Sequence, residues 1–216
     1  MAGAPDSAPQ IESHPWQPFI PDRAKVLIAG TFPPKSSRWC MDFYYPNRIN
    51  DFWRVMGSVF FDNPDRFWDA LTGTFRLDDI KAFLTERRIA MHDTAAQVRR
   101  LRDNASDKYL EIVTPVNLGA LLSLMPECTA IATTGQKAAE VIAKITDTPV
   151  PAVTGGDCGS EPPFVEFESP VAPGKFIRHY RLPSTSRAYP MPLVRKAAAY
   201  AAFFSACGCA PTGRPC

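Results

Sequence analysis

The chain has no run of apolar residues approaching the roughly 18–20 that a membrane-spanning helix requires. It has little net charge: 24 Lys and Arg against 22 Asp and Glu leave +2. Composition therefore forces no basic face, and any contact with nucleic acid has to come from local clustering. The six cysteines, Cys40, Cys128, Cys158, Cys207, Cys209 and Cys216, form no CxxC pair, and three fall within the last ten residues. That spacing gives a zinc or iron–sulfur centre poor support and is the pattern of reduced thiols in a cytoplasmic protein. No metal and no cofactor is expected. The opening "MAGAPDSAPQ" lacks a charged stretch followed by an apolar one, so it reads as a loose tail rather than a signal peptide.

What is present suits one soluble globular domain: 216 residues, 45% hydrophobic and 21% charged. The expected division is a flexible tail over 1–13, a single domain over 14–206 and a second flexible tail over 207–216. "KVLIAG" (Lys25–Gly30) is a short apolar run ending in glycine, the pattern of a buried parallel strand. "IAMHD" (Ile89–Asp93), "CTAIATTG" (Cys128–Gly135) and "KFIRHYRLPS" (Lys175–Ser184) supply three more core strands, and "FVEFE" an edge strand. Between them, Ile49, Phe52, Trp53, Met56 and Val59/Phe60 recur at helical spacing with Asn47 as a candidate N-cap. "FWDALTG", "LDDIKAFLTERR", "NLGALLSLMP", "GQKAAEVIAKI" and "PLVRKAAAYAAFFSA" are also expected to be helical. Strands alternating with helices predict a three-layer α/β/α sandwich around a central four-stranded parallel sheet.

In such sheets the ligand crevice lies beyond the carboxyl ends of the strands. The residues after the four strands are Gly30-Thr31-Phe32-Pro33, His92-Asp93, Thr133-Thr134-Gly135-Gln136 and Pro183-Ser184-Thr185-Ser186. All four polar groups fall on one rim, which implies one site built from four loops without naming its chemistry.

The motifs "HPWQPFIPDRAKVLIAGTFPP", "FYYPNRINDFW", "MHD", "TTGQKA" and "LPSTSRA" resemble, in order and spacing, those of the uracil-DNA glycosylase superfamily. They are most similar to its branch excising uracil and hypoxanthine, the deoxyinosine DNA glycosylases. The resemblance runs from about His14 to Phe204. It implies cofactor-free hydrolysis of the bond between a deaminated base and its sugar in DNA, as in base excision repair, by a monomer working with the chromosome in the cytoplasm. Such an enzyme must extrude the nucleotide, hold the base and place a water while stabilising the departing charge.

On that resemblance Asn50, in "YYPNRINDFW", is the candidate that places the water, with the neighbouring Asp51 either a better base or a helix N-terminal charge. Thr31 and Phe32 would offer backbone N–H groups to the base, and Tyr44 or Tyr45 would stack on it. Phe32 is apolar where related branches carry a polar catalytic residue. Thr134 stands where many relatives carry an asparagine that reads the base edge, and a single hydroxyl cannot reproduce those two bonds; relaxed recognition, a different base and recognition by backbone all stay open. Ser184, Thr185 and Ser186 would bind phosphates. Arg187, Ala188 and Tyr189 would form a wedge entering the minor groove. The plainer reading of that loop is a cap on the following helix, and the two coexist because helix N-termini attract phosphate. Lys35, Arg38, Arg48 and Arg187 supply a local positive rim, whereas Arg99, Arg100 and Arg102 read as a solvated charge run. His92 reads as structural, and Asp93 as a loop cap.

Two alternatives from other classes remain at the level of sequence. One is a catalytically weak or inactive DNA-binding protein on the same fold; the other is a hydrolase of free nucleosides.

Overall fold

The computed structural model describes residues 10–101, 109–155 and 161–209. Its elements, in chain order, are β1 (Ile11–Ser13), β2 (Val26–Gly30), α1 (Phe52–Phe61), β3 (Trp68–Asp69), β4 (Thr74–Phe75), α2 (Leu77–Arg87), β5 (Ile89–Asp93) and β6 (Ala95–Arg100). They continue with β7 (Leu110–Pro115), α3 (Leu118–Ser123), β8 (Ala130–Thr134), α4 (Gln136–Thr146), β9 (Phe164–Glu168), β10 (Phe176–Leu182) and α5 (Leu193–Ala206).

The central sheet has the order β5-β2-β8-β10-β9. Its first four strands are mutually parallel, and β9 adds an antiparallel edge, so the sheet has five strands around the four-stranded parallel core. β2, β5 and β8 are buried at every position, as strands covered by helices on both faces must be. Alternate side chains serve the two faces. Val26, Ile28, Met91 and Ala132 pack with Phe52, Trp53, Phe83, Tyr200 and Phe203 of α1, α2 and α5. Leu27, Ala90 and Ile131 pack with Leu118, Leu121, Leu122 and Ile142 of α3 and α4. Each fully buried aromatic of this size is worth about 1.5–3 kcal/mol relative to exposure.

Several sequence expectations change. "FWDALTG" is not a helix: Gly73 takes φ 68°, and the segment folds as the β3–β4 hairpin. The helix expected from Ile49 begins at Phe52, and Ile49 is 57% exposed. Asn47 caps only the turn before it, accepting from the Ile49 N–H at 3.1 Å. In α4, Ala138, Val141 and Ile142 are buried, whereas Ile145, which helical spacing would place with them, is exposed. A second, antiparallel sheet, β1-β6-β7, was not foreseen. It recruits residues 11–13 out of the expected tail by antiparallel pairing with β6, and Glu12 also accepts from Arg100 Nε through both carboxylate oxygens, at 2.8 and 3.0 Å. Cys207 and Cys209 close the last turn of α5 and pack on the core. Residues 1–9 and 210–216, with Arg102, Cys158 and Cys216, lie outside the described residues.

Candidate nucleic-acid cleft at the strand ends

The carboxyl ends of all four parallel strands open into one cleft of about 770 Å³. Gly30 ends β2 and Thr31 and Phe32 follow it, Asp93 ends β5, Thr134 ends β8, and Ser184 to Tyr189 follow β10. Tyr45, Asn47 and Asn50 of the long β2–α1 loop form the remaining wall, with Arg38 and Arg100 at its edge.

The floor depends on Gly30. A Cβ there would lie 2.6 Å from Asp93 Oδ1 and 3.2 Å from the Tyr45 hydroxyl, so only glycine lets both groups close over the strand end. Tyr45 is held in a left-handed conformation (φ 53°), its ring stacked on Phe52 at 3.8 Å between centroids. Its hydroxyl bonds the Thr134 hydroxyl at 2.7 Å. Thr134 thus reaches the cleft already engaged by a neighbouring side chain. Tyr44 points elsewhere: it is buried, donates to the Gln17 carbonyl at 3.0 Å and meets His92 Nδ1 at 2.9 Å. Of the two tyrosines, Tyr45 is the one that lines the cleft.

Phe32 is fixed from two sides. The His14 ring meets it edge-on at 5.5 Å, and the Arg100 guanidinium lies 5.6 Å from its centroid while donating to the Pro33 carbonyl at 2.7 Å. Arg100, expected on a solvated face, therefore belongs to the cleft wall. Thr31 is buried, and its carbonyl accepts from Ala95 N–H at 3.1 Å.

Asn50 lines the cleft, and its Oδ1 accepts from the Phe52 N–H at 2.9 Å, capping α1. Its amide NH₂ and the second lone pair of the oxygen remain for a ligand or water. Asp51 is buried and does not line the cleft. Its carboxylate receives the Lys196 ammonium at 2.9 Å and lies 3.6 Å from Arg54, and Lys196 is 1% exposed. Asp51 therefore serves as a structural anion: it neutralises a buried cation, and its backbone N–H donates to the Thr185 carbonyl at 2.9 Å.

The Ser184–Tyr189 loop is tied at its base and open at its tip. The Tyr200 hydroxyl donates to the Pro183 carbonyl, Lys196 donates to the Ser186 carbonyl at 3.1 Å, and Thr185 is buried. Ser184 Oγ accepts from Ser186 N–H, and Ser186 Oγ from Ala188 N–H, so both hydroxyls keep a proton to donate outward. Ser186, Arg187 and Ala188 are exposed, and Tyr189 is half-buried. Arg38 lines the same cleft; Lys35 is exposed and outside it. Arg48 lies over the Trp68 ring at 5.1 Å and does not line the cleft.

Behind the floor sits a polar cluster. His14 Nε2 bonds Asp93 Oδ2 at 3.0 Å. His92 is pushed down to about 4, first by burial and then by the nearby His14, and burial with the Asp93 charge raises Tyr44 well above an ordinary tyrosine. His92 is therefore neutral and structural. Sequence reasoning passed over His14 as a site residue, because nothing local marks a histidine that lies well upstream of β2 and meets its partner only in the fold.

Among the described residues, no three His, Cys, Asp or Glu side chains gather as a metal site would, and no helix is long and apolar enough to cross a membrane. No family model and no curated protein matches the chain. Among solved structures, it is similar to the solution NMR structure of a "putative Uracil DNA glycosylase" from Methanosarcina acetivorans. The identity is 17%, the coverage 91% of this chain and 99% of that chain, and the TM-score 0.54. The likeness is one of fold: a mixed α/β sandwich with the same extent of chain.

Proposed function

We propose that this protein is a monofunctional DNA glycosylase that hydrolyses the N-glycosidic bond of a flipped, deaminated base, uracil or hypoxanthine, in DNA. The observation that carries the reading is the cleft where all four parallel strands end. It joins a chamber large enough for a nucleotide to a protruding hydroxyl-rich loop with an exposed arginine. The fold shared with the archaeal protein supports it.

In this reading Arg187, Ala188 and Tyr189 wedge into the stack while Ser184 and Ser186 hold flanking phosphates, offsetting the few kcal/mol of lost pairing and stacking. The base enters between Phe32 and Tyr45. The Tyr45 and Thr134 hydroxyls, with the backbone near Thr31, hydrogen-bond its edge. A hydroxyl pair can rotate to donate or accept, which suits both uracil and hypoxanthine. Asn50 orients the attacking water.

The test is incubation with oligonucleotides carrying uracil or hypoxanthine, single-stranded and opposite each normal base, beside the free deoxynucleosides. The account predicts free base and an alkali-labile abasic site from DNA and no cleavage of the nucleosides. Tight DNA binding without base release would instead support a binding protein.

A further inference from the structure

The cleft needs a proton acceptor for the water, and none of the residues given a role in the reaction above supplies one. Asn50 carries an amide, a poor base. The Asp51 carboxylate is committed to Lys196 and does not line the cleft. Phe32, in the loop just after β2, is apolar. Among the described residues lining the cleft, Asp93 is the only carboxylate.

Its setting is built rather than incidental. Asp93 ends β5 directly beside Gly30 of β2 in the parallel register. Oδ1 lies 2.6 Å from the position a Gly30 Cβ would take, so the missing side chain is what admits the carboxylate. Oδ2 is held by His14 Nε2 at 3.0 Å, and the two side chains are 8% and 5% exposed. His14 is itself fixed. Its backbone N–H donates to the Ala96 carbonyl at 2.8 Å, and the segment after it pairs with β5 through Phe19 and Met91.

The other imidazole nitrogen, Nδ1, sits 2.9 Å from the Trp16 carbonyl and 3.2 Å from the Trp16 N–H. Neutral His14 can accept from that N–H, and charged His14 can donate to that carbonyl. The ring thus satisfies Nδ1 in either protonation state without moving, while Nε2–H stays on Asp93.

We infer that Asp93 is the general base of the cleft and that His14 is its positioning partner, an inference that rests on the glycosylase reading above. As the C1′–N bond breaks, its electron pair leaves with the base. The water oxygen bonds C1′ and its proton passes to Asp93. The released base anion takes a proton from solvent. Asn50 orients the water, Asp93 takes its proton, and His14 holds the carboxylate in place and stabilises its charge until the transfer.

The experiment compares wild type with Asp93→Asn in single-turnover release of uracil and hypoxanthine. Affinity is read on the same duplex carrying 2′-fluoro-2′-deoxyuridine, which resists cleavage. The expected result is release slowed by about 100-fold or more with affinity changed by less than about threefold. Added formate, a small carboxylate that can enter the vacated space, restores release by Asp93→Ala and not by Asn50→Ala. Release by folded Asp93→Asn at the wild-type rate, or no rescue of a folded, DNA-binding Asp93→Ala by formate, overturns the inference while leaving the glycosylase reading in place. If the Asp93 variants do not fold, His14→Ala and His14→Gln decide. Release should fall about tenfold further in the alanine variant than in the glutamine variant, which can still donate to Asp93, with binding unchanged; wild-type rates in both overturn it. Absence of base release by wild type on every DNA substrate sinks the glycosylase reading and this inference together.

Discussion

Lys196, on α5, donates to Asp51 Oδ2 at 2.9 Å across 145 positions of sequence and, with the same ammonium, to the Ser186 carbonyl at 3.1 Å. One buried cation thus couples the start of α1 to the loop that bears the exposed arginine. Removing one partner of such a pair leaves an uncompensated buried charge, a loss of about 3–5 kcal/mol.

Lys196→Met and Asp51→Leu should each lower the unfolding free energy by that amount, measured in urea. The double variant should cost less than the sum of the two, because no lone charge remains. Additive costs would mean that the pair is not coupled.

Gly30→Ala should keep the fold and lose base release. The new Cβ would meet Asp93 Oδ1 at 2.6 Å and the Tyr45 hydroxyl at 3.2 Å, so both must shift. Overpacking of this kind costs about 1–3 kcal/mol, which thermal unfolding would register, while the assay would register the displaced carboxylate. Full activity in Gly30→Ala would show that the closeness of these groups has no part in the chemistry.

Stability should fall in acid through two buried histidines. His92 and His179 are both held down to about 4, in each case chiefly by burial, whereas an unfolded histidine titrates near 6.5. The unfolded chain therefore binds more protons between these values, so stability rises with pH across the window and is lost as pH drops from about 6.5 to about 4. The slope approaches 1.4 kcal/mol per pH unit for each histidine. Urea titrations at pH 7.5, 6 and 5 read it directly. His179→Gln should flatten the dependence, and an unchanged slope would contradict the assignment.

Arg187→Ala should weaken DNA binding evenly across sequences and reduce the dependence of log affinity on log salt by about one, the signature of one lost phosphate contact. Its melting temperature should not move, since the side chain is exposed. Titrations at two or more salt concentrations check both points, and an unaltered salt slope would remove Arg187 from the interface.

Much of the frame was legible because buried parallel strands leave a plain trace. "KVLIAG", "IAMHD" and "AIATT" are apolar runs that stop at glycine or polar residues, and those stops are the rim of the cleft. Local periodicity misled where the partner was distant. "FWDALTG" has helix-forming residues, yet Trp68 pairs with Phe75 and Thr74 with Asp69 across a turn. The β6–β7 hairpin escaped notice because its value lies in long-range bonds, Arg100 to Glu12 and Pro33 among them. The same holds at the site. Asp51 beside Asn50 gave no sign in sequence that its partner was Lys196, and nothing next to His14 announced Asp93, 79 positions away.

The most direct test of the account is the mass of the small product released when wild-type protein meets a uracil-containing duplex, read beside Asn50→Ala. The account predicts free uracil from wild type and a loss of about 100-fold or more in the variant, with DNA affinity retained. No free base from uracil or hypoxanthine substrates, under conditions where the protein binds them, would contradict it.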